Sequence, residues 1–176
     1  MRRPLLVLAL AALAVPVLAA QFSIDAVKAA YLFRFASYVE WPEAARKEGS
    51  FVIGLVGGED IAVHLEKLLK GRSIKDRPAG IRRVQKPADL EGVHILYVDE
   101  RAFRGSRPLR ALAIAKPILI VTDHHDGLDG GGVINFIEQD RNLRFEISID
   151  AADRSGLKID SALLSVAARV DSRRTK

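Results

Sequence analysis

The sequence predicts an α/β fold: a single domain whose mixed sheet has a parallel part and an antiparallel hairpin, flanked by helices. Two observations carry this. Short β-branched apolar runs alternate with amphipathic stretches, the pattern of strands joined by helical crossovers. Later, two alternating runs, residues 133–137 and 143–149, follow one another across Glu138-Gln139-Asp140-Arg141-Asn142, where Asp140 and Asn142 favour a turn. With 176 residues, 49% hydrophobic and 28% charged, the chain has the size and composition of one folded domain.

Residues 1–20 stand outside that fold and read as a signal peptide. Arg2 and Arg3 form a positive n-region, and residues 5–18 form an apolar stretch too short for a comfortable membrane span. Val17-Leu18-Ala19-Ala20 offers small residues for cleavage near Ala19 or Ala20, with no Cys to take a lipid. The mature protein is expected to be exported, soluble and not itself membrane-embedded. Residues 21–170 then form the domain, and residues 171–176 a loose basic tail.

Ser23 caps a helix reaching to about Val39, with Asp25 near its positive end. Ile24, Val27, Tyr31, Leu32, Phe35 and Tyr38 share one broad face, and Phe33 and Val39 widen it. A helix this apolar is either well buried or shares its surface with a partner. Tyr31, Phe33 and Phe35 are the expected partner or self-association surface, a homodimer included. Trp41-Pro42 stops the helix, since the residue before proline avoids helical angles.

Residues 51–56 read as a buried strand, Gly57-Gly58 as a turn, and residues 59–70 as an amphipathic helix on Ile61, Leu65, Leu68 and Leu69, with Gly71 as its stop. Residues 79–84 predict a strand made polar by Arg82 and Arg83. Residues 93–98 predict another buried strand, and residues 107–115 a helix with Pro108 in its first turn. Residues 118–121 begin the strand-loop-hairpin unit around which the rest can pack. In its last run Leu143, Phe145, Ile147 and Ile149 share one face, and Arg144, Glu146 and Ser148 the other, which predicts one wet face. Asp160 or Ser161 caps a final helix carrying Leu163, Leu164, Ala167 and Val170.

Several chemistries are excluded. Without cysteine there is no thiol catalysis, thiolate metal site or disulfide. Gly54, Gly57 and Gly58 do not form G-x-G-x-x-G, and Glu59 and Asp60 oppose a pyrophosphate at the helix start. The formal charge of +5 falls to +3 without Arg2 and Arg3, and Arg173, Arg174 and Lys176 lie in the tail, so no nucleic-acid partner is expected. No nucleophile elbow is present, and the protein reads as a non-enzyme.

The loop Asp123-His124-His125-Asp126-Gly127-Leu128-Asp129 has the residue types of a metal site. Its acids lack EF-hand spacing, and adjacent histidines point apart on an extended chain, so neither metal nor cofactor is expected. It follows a strand's carboxyl end, where α/β sheets place ligands. Asp123, His124, His125 and Asp126 are therefore the small-molecule candidates. His94 sits inside an apolar strand and reads as a hydrogen-bonded core histidine.

Taken in order, several pieces resemble the YfiR-like family of periplasmic regulatory proteins. They are Val27-Lys28-Ala29-Ala30-Tyr31-Leu32 with Phe35, then Val39-Glu40-Trp41-Pro42; Phe51-Val52-Ile53-Gly54; His94-Ile95-Leu96; Ile120-Val121-Thr122-Asp123; Gly131-Gly132 with Ile134-Asn135-Phe136; Arg144-Phe145-Glu146-Ile147 before Ala151-Ala152; and Leu157-Lys158-Ile159 before Leu163-Leu164. Trp41, Pro42, Gly131, Gly132, Asn135, Phe136 and Phe145 are its structural signature here. The resemblance implies a soluble periplasmic α/β protein. It would bind the periplasmic sensor domain of an inner-membrane diguanylate cyclase as a negative regulator, lowering cyclic di-GMP and biofilm formation. Disulfide redox sensing, known in some members, has no cysteine to work with here. Ser148 stands where the family often has Asn, which should alter a local turn. The alternative is a periplasmic small-ligand-binding protein of a signalling or uptake system.

Overall fold

The computed structural model describes residues 23–45 and 49–172; the expected signal segment and the end of the basic tail lie outside them. In chain order the elements are α1 (Ile24–Tyr38), β1 (Val39–Glu40), a 3-10 turn (Glu43–Ala45), β2 (Phe51–Val56), α2 (Glu59–Leu69), β3 (Ser73–Ile74) and β4 (Arg77–Arg83). After a second 3-10 turn (Pro87–Leu90) come β5 (Val93–Val98), a third (Glu100–Ala102), α3 (Arg107–Ile114) and β6 (Leu119–Thr122). The chain ends through β7 (Ile134–Gln139), β8 (Asn142–Ser148), α4 (Ile149–Arg154), β9 (Lys158–Ile159), α5 (Ser161–Val166) and β10 (Arg169–Asp171).

The main sheet has eight strands in the order β10-β8-β7-β6-β5-β2-β4-β3. The five strands from β4 to β7 are parallel; β8 is antiparallel to β7, and β10 parallel to β8. The chain starts inside the sheet at β2, adds β4 on one side and then β5 to β7 on the other, as in doubly wound folds. The expected mixed sheet with flanking helices is what forms. A separate ribbon pairs β1 with β9, Val39 opposite Ile159.

Both faces of the sheet are buried, which is why its central strands are almost continuously apolar. In β5, Ile95 and Tyr97 join the core under α1 and α2, while Leu96 and Val98 join a second core with Phe103 and Ala113 beneath α3. α1 is apolar because it packs on α2, the sheet and α5 together; Leu32, Phe35 and Ala36 are fully buried.

Four expectations change. The hairpin tip is two residues, not five: Gln139 pairs with Asn142, and Asp140 and Arg141 both take positive φ, 52° and 61°. Such a turn matches the strands' twist. The supposedly wet face of β8 is covered, with Glu146 and Ser148 buried, because β10 lies beside it with Arg169 opposite Glu146. β8 stops at Ser148, so Ile149 begins α4. Ser148 is the cap of that helix, its hydroxyl accepting the Ala151 amide at 3.2 Å, a role Asn fills equally well. The last helix ends at Val166, and Val170 belongs to β10.

Candidate functional site

The loop between β6 and β7 closes on itself. Thr122 Oγ1 donates to Asn135 Oδ1 (2.8 Å), which also accepts the His124 amide (3.3 Å). Asn135 Nδ2 donates to Glu146 Oε1 (3.0 Å), and Arg169 Nη2 reaches Glu146 Oε2 at 2.6 Å. Asn135 is wholly buried and Glu146 nearly so, and each polar atom of this chain of groups has a partner, as burial demands. The loop glycines allow the approach: a Cβ on Gly127 would lie 2.0 Å from Asn135 Oδ1, and one on Gly132 2.7 Å from Thr122 Oγ1. Gly131 adds a φ of 96°.

Asp123 is held from two sides. It forms an ion pair with Lys28 of α1 and accepts the Tyr97 hydroxyl at 3.2 Å. Burial, aided by the charge on Asp123, pushes the Tyr97 phenol well above its ordinary range, so it stays a donor. Asp123 thus ties the first helix to the carboxyl end of the sheet.

His124 stacks on Phe103 with centroids 4.1 Å apart and planes 8° from parallel, and the Arg110 guanidinium lies 3.8 Å from the Phe103 centroid. Arg110 is buried and donates to the carbonyl oxygens of Phe103 and Gly130. The adjacent histidines do not point apart: their rings lie 4.0 Å from each other, because the chain here turns rather than extends. Ligand atoms of His124, His125 and Asp126 come within 4.8 Å of one another. His124 Nδ1, however, already accepts the Asp126 amide at 3.0 Å, so an ion would have to displace that bond. His125 and Asp126 are exposed. The four candidate residues therefore divide: Asp123 and His124 are built into the fold, and His125 and Asp126 lie exposed, paired with each other at 3.1 Å. A cavity of about 400 Å³ beside them is bordered by Lys28, Asp123, His125 and Phe136.

The first helix also divides. Phe35 is fully buried, with ring centroids 5.2 Å from Phe145 and 5.9 Å from Phe136. It packs inside the chain and cannot serve a partner surface, which corrects that part of the expectation. Tyr31 lies half-buried over Phe145 (5.5 Å), and Phe33 is half-buried with the Arg72 guanidinium 5.8 Å from its ring. A groove of about 760 Å³ runs past Tyr31, Arg34, Tyr38, Arg144 and Val166. Phe136 and Phe145 lie under it, and Trp41 is buried against Phe51, its Nε1 donating to the His94 carbonyl at 3.3 Å. Pro42 is exposed beside it. His94 is the core histidine expected, its Nδ1 accepting the Val52 amide at 3.2 Å.

Among solved structures, a conserved domain protein from Vibrio cholerae O1 biovar eltor matches at 15% identity with a TM-score of 0.50, over 85% of this chain and 61% of that one. The ABC domain from Streptococcus pneumonia, solved in complex with L-Trp, matches at 11% identity with a TM-score of 0.49, over 69% of this chain. This chain spans 55% of the latter. At these identities the first likeness shows the fold alone. No curated protein matches the sequence. The YfiR/HmsC-like family matches residues 25–168, which take in every strand of the sheet except β10, together with the helices. This chain accordingly belongs to the YfiR/HmsC-like family, a regulatory rather than a catalytic one.

Proposed function

We propose that this protein is a periplasmic regulator that binds the periplasmic sensor domain of an inner-membrane diguanylate cyclase and holds the enzyme inactive. The observation that carries this is the family match over residues 25–168. Export would follow from cleavage near Ala19 or Ala20, and no helix among the described residues is long and apolar enough to cross a membrane. Repression would work by population shift: a protein that prefers the inactive sensor stabilises it by the difference in affinity between the two states. Tyr31 and Phe33 are the partner or self-association residues in this reading, and the aromatic groove with Arg34 and Arg144 beside Tyr31 is the surface that would receive an acidic or apolar segment.

The test is cyclic di-GMP in the host with and without the gene. A rise on deletion, reversed by an exported copy, is expected, with more biofilm. An unchanged level sinks cyclase control. Tyr31→Ala should weaken binding of the folded protein to the sensor domain, and unchanged affinity removes Tyr31 from the interface.

A second reading, a periplasmic small-ligand-binding protein, draws on the cavity beside His125 and Asp126 at the carboxyl end of β6. Thermal-shift measurements with metals and amino acids check it; His125→Ala should abolish any shift.

A further inference from the structure

The opposite end of the parallel strands carries a cleft of about 520 Å³ that none of the preceding roles uses. Its polar wall holds Arg77, Arg82, His94 and Lys116, and its apolar wall includes Leu90 and Ile118. We propose that this cleft binds a small organic anion, a carboxylate or phosphate head on an apolar body, held by Arg77, Arg82, Lys116 and the Nε2–H of His94.

The argument starts from the two guanidiniums. Arg77 donates through Nε to the Gly49 carbonyl (2.8 Å) and through Nη2 to the Ser50 carbonyl (3.1 Å). Arg82 donates through Nη1 to the carbonyls of Asp89 (3.3 Å) and Glu91. Neutral carbonyls orient a cation without neutralising it, so both charges are fixed in place. Among the described residues neither is in direct ion-pair contact with a carboxylate, although the Asp89 carboxyl group feels the Arg82 charge. Glu91 is the one acid among the described lining residues, against three cations. Two fixed guanidiniums are pre-organised for the oxygens of a carboxylate or phosphate.

His94 adds a more specific sign. Its Nδ1 accepts the Val52 amide, so the neutral ring carries its proton on Nε2. That same nitrogen faces Arg77 Nη1 at 3.0 Å. Burial first, and Arg77 second, lower the His94 pKa to about 4, so the ring is neutral at neutral pH. The backbone carbonyls of Ala45 and Gly92 hydrogen-bond the ring and offset part of that lowering. An anionic oxygen placed before Nε2 and Nη1 would accept from both. The apolar wall and the volume, too large for a bare inorganic ion, call for a ligand with an apolar body.

Titration calorimetry on the mature chain tests this with phenyl phosphate, benzoate, inorganic phosphate and uncharged benzyl alcohol. Phenyl phosphate or benzoate should bind with a Kd near or below about 1 mM, shift the His94 ring resonances, and lose about fivefold or more in affinity in Lys116→Gln. Arg77 also anchors the chain at Gly49 and Ser50, so Arg77→Gln is informative only if it folds; Lys116, whose side chain bonds none of the described residues, decides otherwise. The proposal is overturned if neither organic anion binds, if inorganic phosphate or benzyl alcohol binds as well as phenyl phosphate, or if Lys116→Gln leaves affinity unchanged. None of these readouts involves a cyclase, so this site and the proposed function fail separately.

Discussion

The two ends of one parallel sheet treat charge in opposite ways. At the carboxyl end, acids and bases meet each other: Lys28 with Asp123, Arg169 with Glu146, and Asn135 joining Glu146 to the loop. At the amino end, Arg77 and Arg82 meet backbone carbonyls, and His94 meets an arginine. The first arrangement is complete without a ligand and holds the fold. The second holds its cations on neutral groups. The difference teaches that a loop rich in Asp, His and Gly draws attention for residue types the fold itself consumes, while scattered basic residues from separate strands converge unnoticed.

The largest test of that contrast is Asn135→Ala. It leaves Thr122, the His124 amide and Glu146 short of partners in a buried place, and should cost about 3 kcal/mol in urea unfolding. A loss below about 1 kcal/mol would mean the carboxyl end is not a structural lock.

The amino end should show itself in pH. His94 is neutral in the folded chain down to about pH 4, whereas unfolded histidine protonates near pH 6.5. Between those values the unfolded state binds more protons, so stability is fully present above 6.5 and falls as pH drops towards 4, by roughly 2–3 kcal/mol. His94→Gln, which can still accept the Val52 amide, should flatten that part of the profile. An equally steep profile in the variant assigns the effect elsewhere.

Asp123→Asn keeps the shape but removes the charge facing Lys28, and about 1–2 kcal/mol of loss is expected in thermal melts. His125→Ala with Asp126→Ala should change stability by less than about 0.5 kcal/mol, since both side chains are exposed. A larger loss would show that the whole loop, not its inner half, supports the fold.

Much of the architecture was legible because it rests on local pattern. The helix after Ser23, the apolar strands and the amphipathic α2 each satisfy a periodicity within a dozen or so residues. The errors arise where a distant segment decides. Glu146 alternates as a solvent residue should, and only Arg169, arriving 23 residues later, permits its burial. Leu163, Leu164, Ala167 and Val170 fit a helical stripe, but the sheet edge beside β8 captures the chain from Arg169. β1 and β9 have two residues each, too few to show alternation, and exist only because they meet. At the carboxyl end the residue types of the loop stand out in the sequence, but that Asp123 is a strut depends on Lys28 and Tyr97, which come from distant elements. The amino-end cleft left no motif, since Arg77, His94 and Lys116 come from three elements and are neighbours only in the folded chain.

The outer edge of the sheet bears on crowding. β3 covers β4 at Arg77 and Pro78, and the Arg72 carbonyl takes the Ala79 amide at 3.4 Å, which leaves residues 80–83 beyond its reach on that side. An open edge invites another chain to add a strand. Proline at one end of β4 and the paired charges of Arg82 and Arg83 at the other make that addition unfavourable. The arginines that made this strand look too polar from its sequence are thus a guard against edge-to-edge polymerisation, and losing them would threaten solubility before it threatened the fold.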